Sequence, residues 1–264
     1  IQDGKTTESF VYMMHALQYT NNSLTTSWSQ FSFENPVTVR VYKLQGEVDF
    51  CQVLPRSRQI EVRKFDRFVE FDLIEPGQVS VEFERGIYID HPMLIFADPL
   101  ETDVPDPDDP DVIYFGPGLH RLQETLVVKS DQTVYLAGGA YVLGQFYSED
   151  SEDIKIYGRG ILSGEEYAVR TGDHMITFND TRNLYIEGIT IIHAPKWCVR
   201  LSGYNHLVRN VKMLGWFFST DGVQTGQSGI VEDCFFKVND DAIKLYNSNS
   251  MARRCVIWQM ENGA

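Results

Sequence analysis

Three aspartates hold the densest chemistry in this sequence. Asp221 stands alone in "STDGV", and 19 residues later "VNDDA" sets Asp240 beside Asp241. Apolar neighbours such as Val223, Phe235, Phe236 and Ile243 surround them. Removing a carboxylate from water without a partner is costly. Three in one place cannot all stay ionised comfortably, so one proton is expected to be held while the others remain bases. That is the equipment for glycosidic bond hydrolysis: one acid protonates the leaving oxygen and a carboxylate polarises water. Two plainer readings compete. "NDD" also closes turns by satisfying local backbone groups, and clustered oxygens also bind calcium.

The chemistry depends on the elements that bring residues 221 and 240–241 together. From about residue 111, short apolar strands recur at the period of a solenoid coil. One series runs Tyr141, Ile161, Ile189, Val211, Cys234, Cys255, with steps of 20, 28, 22, 23 and 21. A second runs Ile176, Val199, Val223, Ile243, with steps of 23, 24 and 20, and Phe178, Leu201, Thr225, Leu245 follow two residues on. Stacked coils of parallel strands, about 4.8 Å apart, are the expected result, with the right-handed crossover that β-strands prefer. Two residues before the second series stand His174, Trp197, Asp221 and Asp241. Asp221 and Asp241 therefore fall at one place on successive coils, with Asp240 beside Thr220.

Side chains alternate in and out along a strand. The outward ladder Thr177, Arg200, Gln224, Lys244 is thus expected to share a groove with the acids, and Tyr246 is the next outward residue. Trp197 is placed to stack on a sugar ring. Arg200, Gln224, Lys244, Tyr246 and Trp197 form the expected substrate-binding set, Arg200 and Lys244 being suited to substrate or to pairing with the carboxylates. His174 and His193 read as structural or rim residues. Trp216 reads equally well below the Asp221 turn or in the groove wall.

Residues 103–112, "DVPDPDDPDV", form the clearest seam, with three prolines and five aspartates; such a stretch is stiff and polar. Before it, "VTVRVYKL" (37–44), "QIEVRKF" (59–65), "FVEFDLI" (68–74) and "VSVEFER" (79–85) alternate with period two between turns, as antiparallel sandwich strands do. The expected fold class is all-β: an N-terminal antiparallel β-sandwich over 1–105, then a right-handed parallel β-helix over 111–264, incomplete at its C-terminus.

The bulk properties fit. The chain has 264 residues, 43% of them hydrophobic and 12% aromatic, enough for a large core. A net charge of −14 argues against nucleic acid or an anionic membrane as a partner. No apolar run is long enough to cross a membrane as a helix. Cys51, Cys198, Cys234 and Cys255 show no zinc spacing; Cys234 and Cys255 fall at one stacked position and read as thiols in a core ladder. Asn21-Asn22-Ser23 and Asn179-Asp180-Thr181 match the glycosylation signal.

"GWFFSTDG" followed by "NDDAIKLYNS", together with "YFGPGLHRL" and "SDQTVYLAGGAYVLG" within 114–144, resembles glycoside hydrolase family 49, the dextranases and isopullulanases. The resemblance runs from about residue 35 onward and is sharpest over 197–258. It implies a β-sandwich joined to a right-handed parallel β-helix, and hydrolysis with inversion and without metal or other cofactor. Asp240 resembles the general acid of that family; Asp221 and Asp241 resemble its water-activating pair. The related polygalacturonase family 28 places a Gly-His-Gly about one coil after its doublet. The corresponding "MENGA" (260–264) has no histidine, which makes a uronic-acid polymer the lesser expectation. Family 49 β-helices continue for several coils past the doublet, so the chain reads as part of a longer enzyme.

The expected function is a secreted or periplasmic inverting glycoside hydrolase whose partner is a polysaccharide, first an α-glucan such as dextran or pullulan. Its rivals are a same-fold hydrolase of a galacturonan or sulfated galactan, a non-catalytic carbohydrate-binding β-helix, and a calcium-dependent lyase.

Overall fold

The computed structural model of the chain describes residues 1–15, 25–86 and 89–258. The sequon at Asn21 and the "MENGA" stretch lie outside these residues. The chain divides into two compact units, Ile1–Thr102 and Asp103–Ala264.

Among its described residues the first unit holds a five-stranded and a three-stranded sheet. The small sheet pairs Val37–Tyr42 and Arg63–Lys64 with Phe68–Leu73, all antiparallel. In the larger sheet Gly77–Glu82 pairs antiparallel with Gln52–Leu54 and Met93–Asp98. Val41, Val69, Phe71 and Leu73 of one sheet share a core with Val53, Val79, Val81 and Ile95 of the other. Two faces closing on one apolar layer make this a sandwich. It departs from the expectation in two respects. Thr25–Ser32 runs parallel to Met93–Asp98, so the larger sheet is mixed. The run 59–65 supplies only the two-residue strand Arg63–Lys64, because most of its side chains are exposed or half-buried and have little to pack against.

Among the described residues of the second unit, six coils each give one strand to each of three parallel sheets, and a seventh gives the first two. The face that matters for the site contains Leu126–Val127, Phe146–Glu149, Ile176–Arg182, Val199–Tyr204, Val223–Gln224 and Ile243–Lys244. Its register aligns Ile176, Val199, Val223 and Ile243, and with them Thr177, Arg200, Gln224 and Lys244. Phe178, Leu201 and Val223 are buried in the solenoid core. The ladder position Leu245 is not, being 51% exposed.

The other recurrent series contains a slip. Tyr141 does pair with Ile161, but Ile161 pairs with Thr190 rather than Ile189. Tyr157 is joined to Ile161 through three residues, whereas its ladder partner Glu187 is joined to Thr190 through two. The corner takes up the extra residue and the strands stay in register, Leu162 opposite Ile191 in the core, so a series counted along the sequence shifts by one where the ladder does not. Ile189, Val211 and Cys234 fill the interior with Cys255 packed against them, while Tyr141 and Ile161 belong to the outward rank. The four cysteines are free thiols. Among the described residues, no helix is long and apolar enough to cross a membrane.

Stacking predicts unequal costs along one ladder. Leu201→Ala opens a cavity in a wholly buried position and is expected to cost about 2–5 kcal/mol. Leu245→Ala, on the same ladder but exposed, is expected to stay within about 0.5 kcal/mol. Urea unfolding of the two variants, read against the unchanged chain, checks the difference.

Candidate active site

The corners that lead into the Ile176–Val199–Val223–Ile243 face span 164–175, 193–198, 215–222 and 238–242. They stack above one another, so residues far apart in sequence share one edge of the solenoid. Backbone bonds lock the last three: the Cys198 amide donates to the Asp221 carbonyl at 2.8 Å, and the Gly222 amide to that of Asp241 at 2.9 Å. The Asp240 amide donates to the Thr220 carbonyl at 3.0 Å. Gly222 makes this approach possible. A Cβ there would lie 2.2 Å from the Ala242 carbonyl oxygen and 2.7 Å from the Phe236 ring.

Each corner is anchored from within. Thr220 is wholly buried, and its amide and hydroxyl both donate to the Phe217 carbonyl. The intervening Ser219 takes a left-handed φ of 68°. Asn239, also wholly buried, donates through Nδ2 to the Trp216 carbonyl at 3.2 Å. The first residue of "NDD" is therefore a brace between corners, and the two aspartates after it face the edge. Trp216 packs inside, fully buried, so it does not line the groove.

The structure brings Asp221, Asp240 and Asp241 together: one carboxylate oxygen of each lies within 4.8 Å of the others. Asp221 is buried, while Asp240 and Asp241 are half-buried. Lys244 sits among them. Its Nζ donates to Asp241 Oδ2 at 2.6 Å and forms an ion-pair contact, outside hydrogen-bond alignment, with Asp221 Oδ1 at 2.9 Å. Among the described residues, no cation pairs with Asp240, whose Oδ1 accepts from the Asp241 amide at 3.1 Å. Lys244 also donates to the Tyr246 hydroxyl at 3.3 Å and lies 4.8 Å from the centre of the Trp197 ring. The three oxygens have the chemistry of a hard-cation site, and the ammonium already lies between two of them.

Burial raises the Asp221 carboxyl above its ordinary range; the Lys244 ammonium opposes this, and repulsion from Asp240 and Asp241 adds to it. Asp221 therefore takes up a proton more readily than an ordinary carboxyl, and the Lys244 ammonium is the group that opposes this. Burial alone would lower Lys244, but its bonds to Asp241, Asp221 and Tyr246 outweigh that and hold it above an ordinary lysine.

The other expected residues divide. Trp197 packs against His174 with the rings tilted by 40° at 4.9 Å, and His174 Nδ1 accepts from the Trp197 amide at 3.1 Å. Arg200 turns to Asn179, donating to Oδ1 at 3.1 Å; carboxylate pairing falls to Lys244 alone of the two. Gln224 is half-buried on the ladder between them. Tyr246 is 68% exposed. His193 is half-buried in the corner below, at a φ of 52°.

Two neighbours went unseen in the sequence. Phe218, three residues before Asp221, is exposed, and the Arg170 guanidinium lies 4.3 Å above its ring while donating to Ser219 Oγ at 2.8 Å. Arg170 belongs to the long corner 164–175, where no periodicity marks it. Phe218 had a signal, an apolar residue exposed in a turn beside an acid.

No protein-family model matches the chain. It is 25% identical to a dextranase of Arthrobacter globiformis, over 91% of this chain and 51% of that protein. It is 28% identical to an isopullulanase of Aspergillus niger, over 96% and 57%. The chain thus spans about half the length of the curated relatives it matches. Its fold is that of Dex49A from Penicillium minioluteum, with a TM-score of 0.75, 23% identity, and coverage of 90% of this chain and 56% of that one.

His174 supplies a pH test of this edge. Burial, then the charges of Arg200 and Lys196, lower its pKa from 6.5 to about 4. The unfolded chain takes this proton as pH falls below about 6.5, the folded chain only near 4, so this residue makes stability decline across that window. NMR titration of the His174 ring is expected to show a midpoint near 4, and His174→Gln to flatten that part of the stability profile.

Proposed function

We propose that this chain, dextranase- and isopullulanase-like and of the glycoside hydrolase family 49 kind, holds the acid–base set of an inverting hydrolase acting on an α-glucan of the dextran or pullulan type. The observation that carries the reading is the meeting of Asp221, Asp240 and Asp241 at one edge of adjacent coils, with a lysine compensating two of the three. The dextranase and isopullulanase likenesses supply the substrate class.

In this reading Asp240 protonates the glycosidic oxygen, the role that the family 49 resemblance gives it, and it stands outside the Lys244 ion pairs. Asp221 and Asp241 share Lys244 and accept the proton of the attacking water. Burial makes Asp221 a stronger base once it is charged. Trp197 and Tyr246 offer aromatic faces to the sugar, and Arg200 and Gln224 line the ladder beside it. A polysaccharide substrate implies a secreted or periplasmic protein.

A second reading rests on spacing. Carboxyl groups in inverting enzymes usually stand about 6.5–9.5 Å apart, and those of retaining enzymes about 5 Å. One oxygen of each carboxyl lies within 4.8 Å of the others, nearer the retaining spacing, and a retaining route would have one of them attack the sugar to form a covalent glycosyl-enzyme. Under inversion, water must instead sit at the rim of the cluster, against Asp221 and Asp241.

Asp240→Asn is expected to lower the release of reducing sugar from dextran or pullulan by about a hundredfold or more, with the strand content unchanged by circular dichroism. Near-normal release would remove Asp240 as the acid. NMR of the first-released anomer then separates the routes, a β product signifying inversion of the α-linkage and an α product retention.

A further inference from the structure

Lys244 lies at the ladder position expected to meet substrate, yet its surroundings leave little for a ligand. A lysine ammonium has three donors and no acceptor. Two of them go to Asp241 at 2.6 Å and the Tyr246 hydroxyl at 3.3 Å, and Asp221 lies in ion-pair contact at 2.9 Å. Its side chain is 10% exposed, and the Trp197 and Tyr246 rings flank the charge at 4.8 and 5.5 Å. The stem comes from Ile243–Lys244, while Asp221 comes from the corner one coil below and Asp241 from the corner just before the strand. The ammonium is therefore a cross-tie between coils as well as a countercharge.

We propose that Lys244 is a positioning residue rather than a sugar ligand: its ammonium clamps Asp221 and Asp241 together as the ionised pair that takes the proton of water. This rests on the reading of the three aspartates as the acid–base set. The groups facing the ammonium are Asp221, Asp241, Tyr246 and Trp197, with Asp240 as the third member of the carboxylate cluster. Gln224 is its neutral ladder partner, and Arg200 one coil further down is engaged by Asn179. No second cation among these replaces the first, so removing the charge leaves two adjoining carboxylates uncompensated. Their mutual repulsion then favours protonation of at least one, and a protonated carboxyl does not activate water.

The test is carboxyl-carbon NMR of the whole chain with labelled aspartate, which needs no turnover. In Lys244→Met the titration midpoints of Asp221 and Asp241 are expected to rise by about one pH unit or more, and in Lys244→Arg to stay near those of the unchanged chain. Unaltered midpoints in Lys244→Met overturn the proposal. Should that variant not fold, the Lys244 ammonium is titrated in the unchanged chain; a midpoint at or below the ordinary 10.5 overturns it equally. On dextran, Lys244→Met is expected to lose about tenfold or more in kcat with KM changed by less than about threefold, and its acidic limb to move to higher pH. A rise in KM at constant kcat would make Lys244 a sugar contact and contradict the proposal. Absence of glucan hydrolysis in the unchanged chain counts against the proposed function, and the carboxyl titration still decides the role of Lys244.

Discussion

A parallel ladder fixes the height of every residue along a solenoid, and the candidate site depends on that constraint. The amides of Cys198, Gly222 and Asp240 each bond to the carbonyl of a neighbouring corner. Those bonds bring residues 19 and 20 positions apart into one cluster. The arrangement tolerates no Cβ at position 222, since the Ala242 carbonyl occupies its space. Backbone pairing sets the corner spacing, buried Thr220 and Asn239 fix the corner shape, and the carboxylates take the exposed side.

Three acids at that spacing oppose the fold that assembles them. Burial of Asp221 and its two acidic neighbours all disfavour its charge. Lys244 answers this with one ammonium shared between two carboxylates from adjacent coils. A buried ion pair seldom adds much net stability, but losing one partner is strongly destabilising. On the proposed function, the cluster serves chemistry as well as tying adjacent coils. The asymmetry of the lysine, which reaches two acids and not the third, gives chemically similar residues different environments, and different environments let identical side chains act as acid and base.

Much of this was legible in the residues. The series Ile176, Val199, Val223, Ile243 has the register seen in the ladder, and the offset of two that placed Asp221 over Asp241 follows from it. The other series slipped by one at Ile161 because the Tyr157 corner holds an extra residue; apolar residues stand on both sides of that corner, so hydrophobicity alone does not reveal the shift. The parallel pairing of Thr25–Ser32 with Met93–Asp98 joins segments more than sixty residues apart, beyond any local signal. Arg170 over Phe218 was hidden for a similar reason: a long corner reaches a site two coils away without a periodic mark.

The central claim is that Asp221 and Asp241 act as one unit on one water. A double-mutant cycle in kcat/KM on dextran, using Asp221→Asn, Asp241→Asn and both together, tests it most directly. The account predicts strong non-additivity, the double variant losing little more than the more damaged single one. Losses that simply multiply would mean two independent roles and would contradict the shared-water account.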